Sequence, residues 1–265
     1  MSEGQPMPPA NYDYEHGTEI GAVLNAASDI AHRLSSLQHE VDHDKKTGLY
    51  GENKWKQELG DSIETIKPGE TVDVFVGDIN GFKLVNDTLG HDAGDELLQI
   101  AGAAISQAFS REVLAHGNRE PQDEDSIARL GGDEFAAFSK SKPSINPNHV
   151  QREQDIDTNV KIQSERTNSV FAKLIAGTKF EGTDVSISFG GARFDPSIDK
   201  SATDVFVRAD AAMFAAKYQG KQDRITPEDK DRLRIIIPYL ESKGARVDGW
   251  IKEAVYAETI LKPEA

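Results

Sequence analysis

Two glycines and two acids, Gly131-Gly132-Asp133-Glu134, separate two apolar runs in the segment SIARLGGDEFAAFSK, residues 126–140. The apolar runs predict two strands joined by a tight turn, because glycine tolerates the backbone angles that such turns require. Two adjacent carboxylates at the tip of the turn repel each other and add nothing to a core. Carboxylate oxygens are, however, the ligands that a hard dication prefers. The turn is therefore a candidate site for chemistry.

A third acid, Asp78, closes the β-rich run TVDVFVGDI. A carboxylate on a buried strand is costly unless it is paired or bound to a metal. Gly81 follows the strand, and Phe82 and Lys83 open a helix. A glycine at this turn exposes backbone N–H groups, and the helix dipole with the lysine favours phosphate. Many strand-to-helix turns share these features, so a purely structural interpretation also stays open.

Two further polar residues follow, Asn86 within the helix that begins near Lys83 and Asp95 at the next helix. The pair Gly94-Asp95 is expected to lie at the helix start, where an aspartate caps free N–H groups. Capping is the simplest explanation of Asp95 from its position alone.

Apolar residues recur at spacings of three and four near the N-terminus and predict a helix over residues 18–43. This helix either packs on its own domain or pairs two chains as a coiled coil. The pattern HEVDH, residues 39–43, matches the H-E-x-x-H zinc motif. No third zinc ligand is evident and Val41 belongs to the apolar seam, so a zinc protease is disfavoured. The seam residues are Ile20, Val23, Ala27, Ile30, Leu34, Leu37 and Val41.

The rest of the chain divides by composition. Residues 1–17 are polar and predicted to be a disordered tail, and residues 44–225 are predicted to be one domain, in which a compact α/β unit begins at about residue 71. Polar insertions at 110–125 and 139–155 are expected to be surface loops. Residues 226–265 predict a helical extension, broken near Pro238 and Gly244.

The charge and composition exclude several classes of function. The chain of 265 residues carries a net charge of −15, which disfavours general binding to nucleic acids. It has no cysteine, hence no disulfide or thiolate metal site. Neither a signal peptide nor a membrane-spanning run is visible, so we expect a cytoplasmic protein without membrane insertion.

Several motifs together resemble the GGDEF family, the diguanylate cyclases that condense two GTP into cyclic di-GMP. RLGGDEFAAF resembles the family signature, and the opening motif, metal and guanine region, late strand and last helix occur in the family's order. The resemblance covers about residues 42–225 and implies an α+β fold with a mainly antiparallel central sheet flanked by helices. The other motifs are DKKTGLYGEN, DINGFKLVNDTLGHDAGDELL, VSISFGGA and RADAAMFAAKYQGKQD.

The resemblance also implies a role for individual residues. Asp78, Asp133 and Glu134 would hold two Mg²⁺ or Mn²⁺ ions, with the carbonyl oxygen of Ile79 completing the site. Asn86 and Asp95 would bind the guanine edge, which offers an aspartate two N–H donors that adenine lacks. The triphosphate would lie against the backbone amides near Gly81 and Phe82, the glycines Gly131 and Gly132, and the lysines Lys83, Lys217 and Lys221.

The implied reaction joins two GTP molecules, so two domains must face each other and a homodimer is expected. Two metals would activate the attacking hydroxyl and stabilise the leaving oxygen. Two alternatives remain: a catalytically silent GGDEF domain that binds GTP or a protein partner, and a cyclase that makes a different dinucleotide. The input signal is not identifiable from these motifs.

The chain also departs from the family pattern. Gly51-Glu52 stand where the family commonly has Asn-Arg, which bears on local packing more than on chemistry. Lys221 replaces a more usual arginine and keeps the charge without its bidentate geometry. Residues 122–125 read Gln-Asp-Glu-Asp where many members carry the Arg-x-x-Asp product-inhibition site, and Arg119 is out of register. We therefore expect feedback inhibition through that site to be absent or weak.

Overall fold

The computed structural model describes residues 19–110, 124–141, 156–218, 225–242, 247 and 249–260. The predicted tail at residues 1–17 and the residue Lys221 lie outside this part of the chain. Most of the two predicted insertions and of the altered product-inhibition segment lies outside it as well. These predictions remain untested there, but residues 124–125 and 139–141 lie in strands, so the surface loops predicted at 110–125 and 139–155 are wrong at these ends.

Five strands form one sheet in the spatial order β1-β3-β4-β2-β5. β1 pairs with β3 in parallel, whereas the β3–β4, β4–β2 and β2–β5 pairings are antiparallel. The predicted mainly antiparallel sheet flanked by helices is therefore confirmed. The strands are β1 (Tyr50–Gly51), β2 (Thr71–Asn80), β3 (Glu124–Gly131), β4 (Glu134–Ser141) and β5 (Ser186–Arg193).

Eight helices accompany the sheet in the described part of the chain. Those between strands cover the two faces of the sheet, as expected for strands with apolar residues on both faces. They are α1 (Glu19–Asp42), α2 (Glu52–Glu64), α3 (Phe82–Leu89), α4 (His91–Ser110), α5 (Ile156–Ile175), α6 (Ala202–Tyr218), α7 (Pro227–Ser242) and α8 (Gly249–Ile260).

β2 is buried almost throughout, and its alternating side chains serve two cores. Phe75 and Ile79 pack with α3, α4 and α5 on one face, whereas Val74 and Val76 pack with α2 and α6 on the other. The strand period of two residues places Asp78 on the same face as Val74 and Val76. Asp78 therefore points toward the layer formed by α2 and α6.

A third apolar cluster joins the two C-terminal helices to α6. Polar contacts run along the same seam in antiparallel order: Tyr218 with Asp229 at 2.5 Å, and Asp204 with Tyr239 at the other end. α7 therefore packs along α6 over most of its length. The apolar cluster comprises Phe214, Tyr218, Ile225, Leu233, Ile237, Ile251 and Val255.

The predicted break near Pro238 is wrong, because α7 continues through this residue to Ser242. Proline removes one backbone hydrogen bond from a helix. The buried side chains of Ile237 and Leu240 flank Pro238, and their burial stabilises the turn that contains it. The predicted break at Gly244 lies outside the described residues.

α1 belongs to a separate unit, Met1–Asp42, whereas the second unit is His43–Ala265. The large apolar side chains of its predicted seam are mostly exposed, from 58% for Ile30 and Leu37 to 79% for Val41. The predicted helix is therefore present with its apolar seam facing solvent in the single chain.

Candidate active site

The acids singled out in the sequence meet at one end of the central strand pair. In the β2–β4 ladder Asp78 lies directly opposite Glu134. The backbone N–H of Ile79 donates a hydrogen bond of 3.2 Å to the carbonyl oxygen of Asp133. The strand pairing therefore fixes the backbones of Asp78, Ile79, Asp133 and Glu134 side by side.

The turn between β3 and β4 depends on its two glycines. Gly131 and Gly132 have φ angles of 150° and 51°, both in the region that favours glycine. A Cβ atom added at either glycine would meet nothing within 4 Å. The backbone conformation, and not crowding, explains the glycines, and the space beside the turn is open to a ligand.

Asp78 is buried, with 4% exposure, and its Oδ1 atom lies 2.8 Å from Nζ of Lys217 on α6. Apart from this ion pair, no described residue donates a hydrogen bond to Oδ1. Burial raises the pKa of Asp78 to about 6, although Lys217 opposes the shift, and nearby Asp133 and Glu134 add to it. Burial likewise raises the pKa of Asp133.

Glu134 contacts a residue that the sequence analysis did not identify. Its Oε1 atom accepts a hydrogen bond of 2.5 Å from Nη1 of Arg232 on α7. The Nη2 atom of Arg232 donates to both carboxylate oxygens of Asp210 on α6, at 2.9 and 3.0 Å. One guanidinium thus bridges the signature turn and a buried acid of α6.

The residues at this edge fit a divalent cation by their chemistry. The side chains of Asp78, Asp133 and Glu134 offer only oxygen donors, which Mg²⁺ prefers. The buried Oδ1 atom of Asp78, whose ion pair with Lys217 leaves it without a further hydrogen bond from the described residues, is an acceptor that such a cation would also satisfy. In the described part of the chain, no group of three or more His, Asp or Glu side chains converges as a preformed metal site. The carboxylate of Glu134 is turned to Arg232 instead.

The turn after β2 has the geometry expected of a strand-to-helix turn. Gly81 has φ +80° and precedes α3, which begins at Phe82. A Cβ atom at Gly81 would lie 2.8 Å from the carbonyl oxygen of Asp184. Both this short distance and the positive φ angle therefore exclude a larger residue. Lys83 is exposed in the first turn of the helix. Backbone N–H groups and an exposed cation are thus available to an anion.

Asn86 and Asp95 lie on the consecutive helices α3 and α4. A Cβ atom at Gly94 would fall 1.9 Å from Oδ1 of Asn86, so Asn86 lies directly against the backbone of α4. Asp95 forms an ion pair of 2.5 Å with Lys46, and both side chains are close to half exposed. The two predicted guanine-binding residues therefore border one surface.

The expectation that Asp95 caps its helix is wrong. α4 begins at His91, so Asp95 lies in its second turn. Gly90, with φ +87°, ends α3 and lets the next helix start four residues earlier than expected. Asp95 does not serve the free N–H groups at the helix start, which removes the capping explanation and leaves its ion pair with Lys46.

A second arginine, Arg129, stabilises the turn between β3 and β4. Arg129 on β3 donates to Oδ2 of Asp44 at 2.8 Å and to the carbonyl oxygen of Gly132 at 2.8 and 3.1 Å. Sequence reasoning missed this role, although Arg129 stands three residues before Gly132 in a strand. The missed Arg232 had a weaker signal: Asp210 is a buried acid among the apolar residues of α6 and requires a cationic partner.

The sheet, with its acids gathered at one edge beside a two-glycine turn, defines an α+β domain with a carboxylate site. Residues 41–223 match the family model described as "Diguanylate cyclase, GGDEF domain". This match spans more than half of the chain, which therefore belongs to the GGDEF family. The resemblance deduced from the motifs is confirmed.

Curated relatives carry differing descriptions. An uncharacterized protein of Mycobacterium tuberculosis is 28% identical over 211 residues, covering 77% of this chain and 30% of the relative. The cyclic di-GMP phosphodiesterase PdeB of Shewanella oneidensis is 26% identical, covering 82% and 22%. The probable diguanylate cyclase DgcC of Escherichia coli is 29% identical, covering 44% and 29%. The chain spans less than a third of each of these relatives.

Solved structures support the fold. The coiled coil and GGDEF domain of DgcB from Caulobacter crescentus, in complex with c-di-GMP, gives a TM-score of 0.58 at 22% identity. The match covers 76% of this chain and 93% of that one. Among the described helices, none is both long and apolar enough to cross a bilayer.

Proposed function

We propose that the protein is a diguanylate cyclase that condenses two GTP into cyclic di-GMP, acting in the cytoplasm as a homodimer. The observation that supports this most is the pairing of Asp78 with Glu134 beside the two-glycine turn, which brings two acids together and buries one of them against Lys217. A structural hairpin has no need of these acids at one edge. A site for a cation and a nucleotide uses all of them.

The nucleotide would lie between two groups of residues. The backbone N–H groups at Gly81 and Phe82, with Lys83 and Lys217, would hold the triphosphate, and Lys221 would add a further charge. Gly131 and Gly132 leave room for the phosphates beside the turn. Asn86 and Asp95 would bind the guanine edge, with Asp95 released from Lys46 as the base enters.

The proposed reaction consists of two identical phosphoryl transfers. The 3′ oxygen of each GTP bonds to the α-phosphorus of the other, the bond to the β-phosphate breaks, and pyrophosphate leaves with loss of the hydroxyl proton. Bound Mg²⁺ or Mn²⁺, held by Asp78, Asp133, Glu134 and the carbonyl of Ile79, would supply charge stabilisation for the phosphates. The protein's part is to orient the two substrates, one per domain.

A homodimer follows from this chemistry, since each domain would hold one GTP. The exposed apolar seam of α1 offers a means of pairing two chains. Activity per molecule should then rise with protein concentration until dimers predominate.

The proposal is tested by incubating the protein with GTP and Mg²⁺ and identifying products by mass spectrometry. We expect cyclic di-GMP from the wild type and a loss of at least ~100-fold in the Asp133→Ala variant, as for removal of a group that stabilises transition-state charge. GTP binding without product at any protein concentration would favour a silent GGDEF module. The phosphodiesterase name of one relative makes that second candidate worth measuring. When ATP is supplied together with GTP, an adenine-containing cyclic dinucleotide would contradict the guanine assignment.

The Gly94→Ala variant tests the guanine-binding residues. The added Cβ atom would lie 1.9 Å from Oδ1 of Asn86, so the asparagine side chain must move. We expect GTP to bind about tenfold more weakly, which is the loss of a hydrogen bond or two. Titration calorimetry with GTP, without turnover, measures this directly.

Gly60→Ala is the matched control, because Gly60 also lies in a helix and its Cβ would meet nothing within 4 Å. It should gain about 0.5–1 kcal/mol of stability from helix propensity and bind GTP like the wild type. Unchanged GTP affinity in Gly94→Ala would show that Asn86 does not touch the base.

A further inference from the structure

We propose that Arg232 is a positioning residue that restrains Glu134. It thereby sets the affinity for divalent cations of the site formed by Asp78, Asp133 and Glu134. The inference rests on the proposed function and extends it beyond the family domain. The family match ends at residue 223, whereas Arg232 lies on α7, which begins at Pro227. The C-terminal helices would thus contribute a residue to the site.

The position of Arg232 is fixed by the packing of α7 on α6. Tyr218 donates to Asp229 three residues before Arg232, and Leu233 beside it is buried in the shared apolar cluster. Thr226 accepts from the N–H of Asp229 at 3.1 Å and so caps the start of α7. The helix can therefore not slide without breaking contacts on both sides of Arg232.

The two acids that hold Arg232 differ in burial. The Asp210 side chain is 7% exposed and receives two hydrogen bonds, whereas Glu134 is 27% exposed and receives one. Separating a buried charge from its partner is strongly unfavourable, and a more exposed ion pair is weaker. Asp210 is therefore the anchor of the guanidinium, and Glu134 is the partner that can be exchanged.

This arrangement explains why the acids at the edge do not converge on one point. Lys217 contacts Asp78 and Arg232 contacts Glu134, so each acid already has a cation of the protein beside it. A divalent ion that uses Glu134 must first separate it from Arg232. When nucleotide binds, Lys217 would leave Asp78 and contact the triphosphate. Arg232, in contrast, would stay beside the turn because Asp210 holds it there. The restraint on Glu134 therefore acts even before nucleotide binds.

The test is Mn²⁺ binding to the full chain without nucleotide, followed by electron paramagnetic resonance. Arg232→Gln should bind Mn²⁺ about tenfold more tightly, within the range by which outer residues alter metal affinity. The double variant Asp210→Asn/Arg232→Gln removes one charge of each sign and leaves no buried unpaired acid. It should show the same tightening, which separates release of Glu134 from a change in net charge.

Two further variants complete the design. In a Glu134→Gln background, replacing Arg232 should leave the Mn²⁺ affinity unchanged, since the coupled partner is gone. Arg234→Gln is the control on the same helix, because Arg234 pairs with the exposed Asp231. It should bind Mn²⁺ like the wild type.

Equal or weaker Mn²⁺ binding in both Arg232 variants would overturn the inference, and so would an effect that persists without Glu134. Failure of Mn²⁺ to bind any variant would overturn it together with the metal site. Product formation from GTP, assayed on the same preparations, tests the proposed function separately. If the protein makes cyclic di-GMP but its Mn²⁺ affinity does not change when Arg232 is replaced, the proposed function stands and only the proposed role of Arg232 is removed.

Discussion

Asp78→Asn is expected to abolish cyclic di-GMP formation and, at pH 8, to make the metal-free protein more stable. Loss of the carboxylate should reduce activity at least ~100-fold. The ionised form of Asp78 is unfavourable in the fold, because burial raises its pKa from 3.8 to about 6. That difference corresponds to roughly 3 kcal/mol. Lys217 loses its partner in the variant, so we expect a net gain of about 1–2 kcal/mol in the free energy of unfolding.

The same shift predicts how stability depends on pH. Between pH 3.8 and about 6 the folded protein retains a proton on Asp78 that the unfolded chain has already released. The wild type should therefore lose stability relative to Asp78→Asn as the pH rises through this window, and the difference should level off above it. Urea unfolding of both proteins at a series of pH values measures the difference.

Adding Mg²⁺ provides an independent measurement on the same pair. A cation that binds the folded state stabilises it, so Mg²⁺ should raise the melting temperature of the wild type more than that of the variant. Asp61→Asn, on the exposed side of α2, is the control and should follow the wild type. If Asp78→Asn instead destabilises the protein at pH 8, Asp78 is a structural partner of Lys217 and not a residue kept for binding.

Gly190→Ala is expected to cause the largest loss of stability of any change considered for this chain. A Cβ atom at Gly190 on β5 would lie 1.7 Å from the backbone nitrogen of Met213 on α6. Backbone cannot move aside as a side chain can, so α6 must lift from the sheet. We expect a loss of about 3 kcal/mol, at the upper end for overpacking, as measured by chemical unfolding followed by circular dichroism.

The same variant should also lose activity, since α6 carries both Lys217 and Asp210. Gly60→Ala again shows what the substitution does where space is free. A stable Gly190→Ala protein would mean that β5 and α6 are less closely packed than the structure indicates.

Much of the site could be predicted because its parts are local in sequence. Glycines with apolar runs on both sides define the turn, and Asp78 ends an apolar run that can only be a buried strand. The pairing of Asp78 with Glu134 was expected only from the family resemblance, because strand order depends on contacts distant in sequence. The sequence pattern places the start of α4 too late, near Asp95, because it does not mark Gly90 as the end of α3.

The arginines of the site could not be found in the same way. Arg232 is separated from Glu134 by 98 positions, and Arg129 from Asp44 by 85. Their partners are set by how α7 packs on α6 and how β3 pairs with β1. No spacing rule along the chain encodes either arrangement.

Because α7 packs along α6, the end of the family match and the end of the packed structure are different positions in the chain. The family match ends at residue 223, but the apolar contacts of Phe214 and Tyr218 continue into Leu233 and Ile237. A fragment ended at the family boundary would expose this apolar surface and leave Asp210 without its guanidinium. We therefore expect the cooperative unit of unfolding to extend beyond the homologous domain, so that the shorter fragment would be less stable than the full chain.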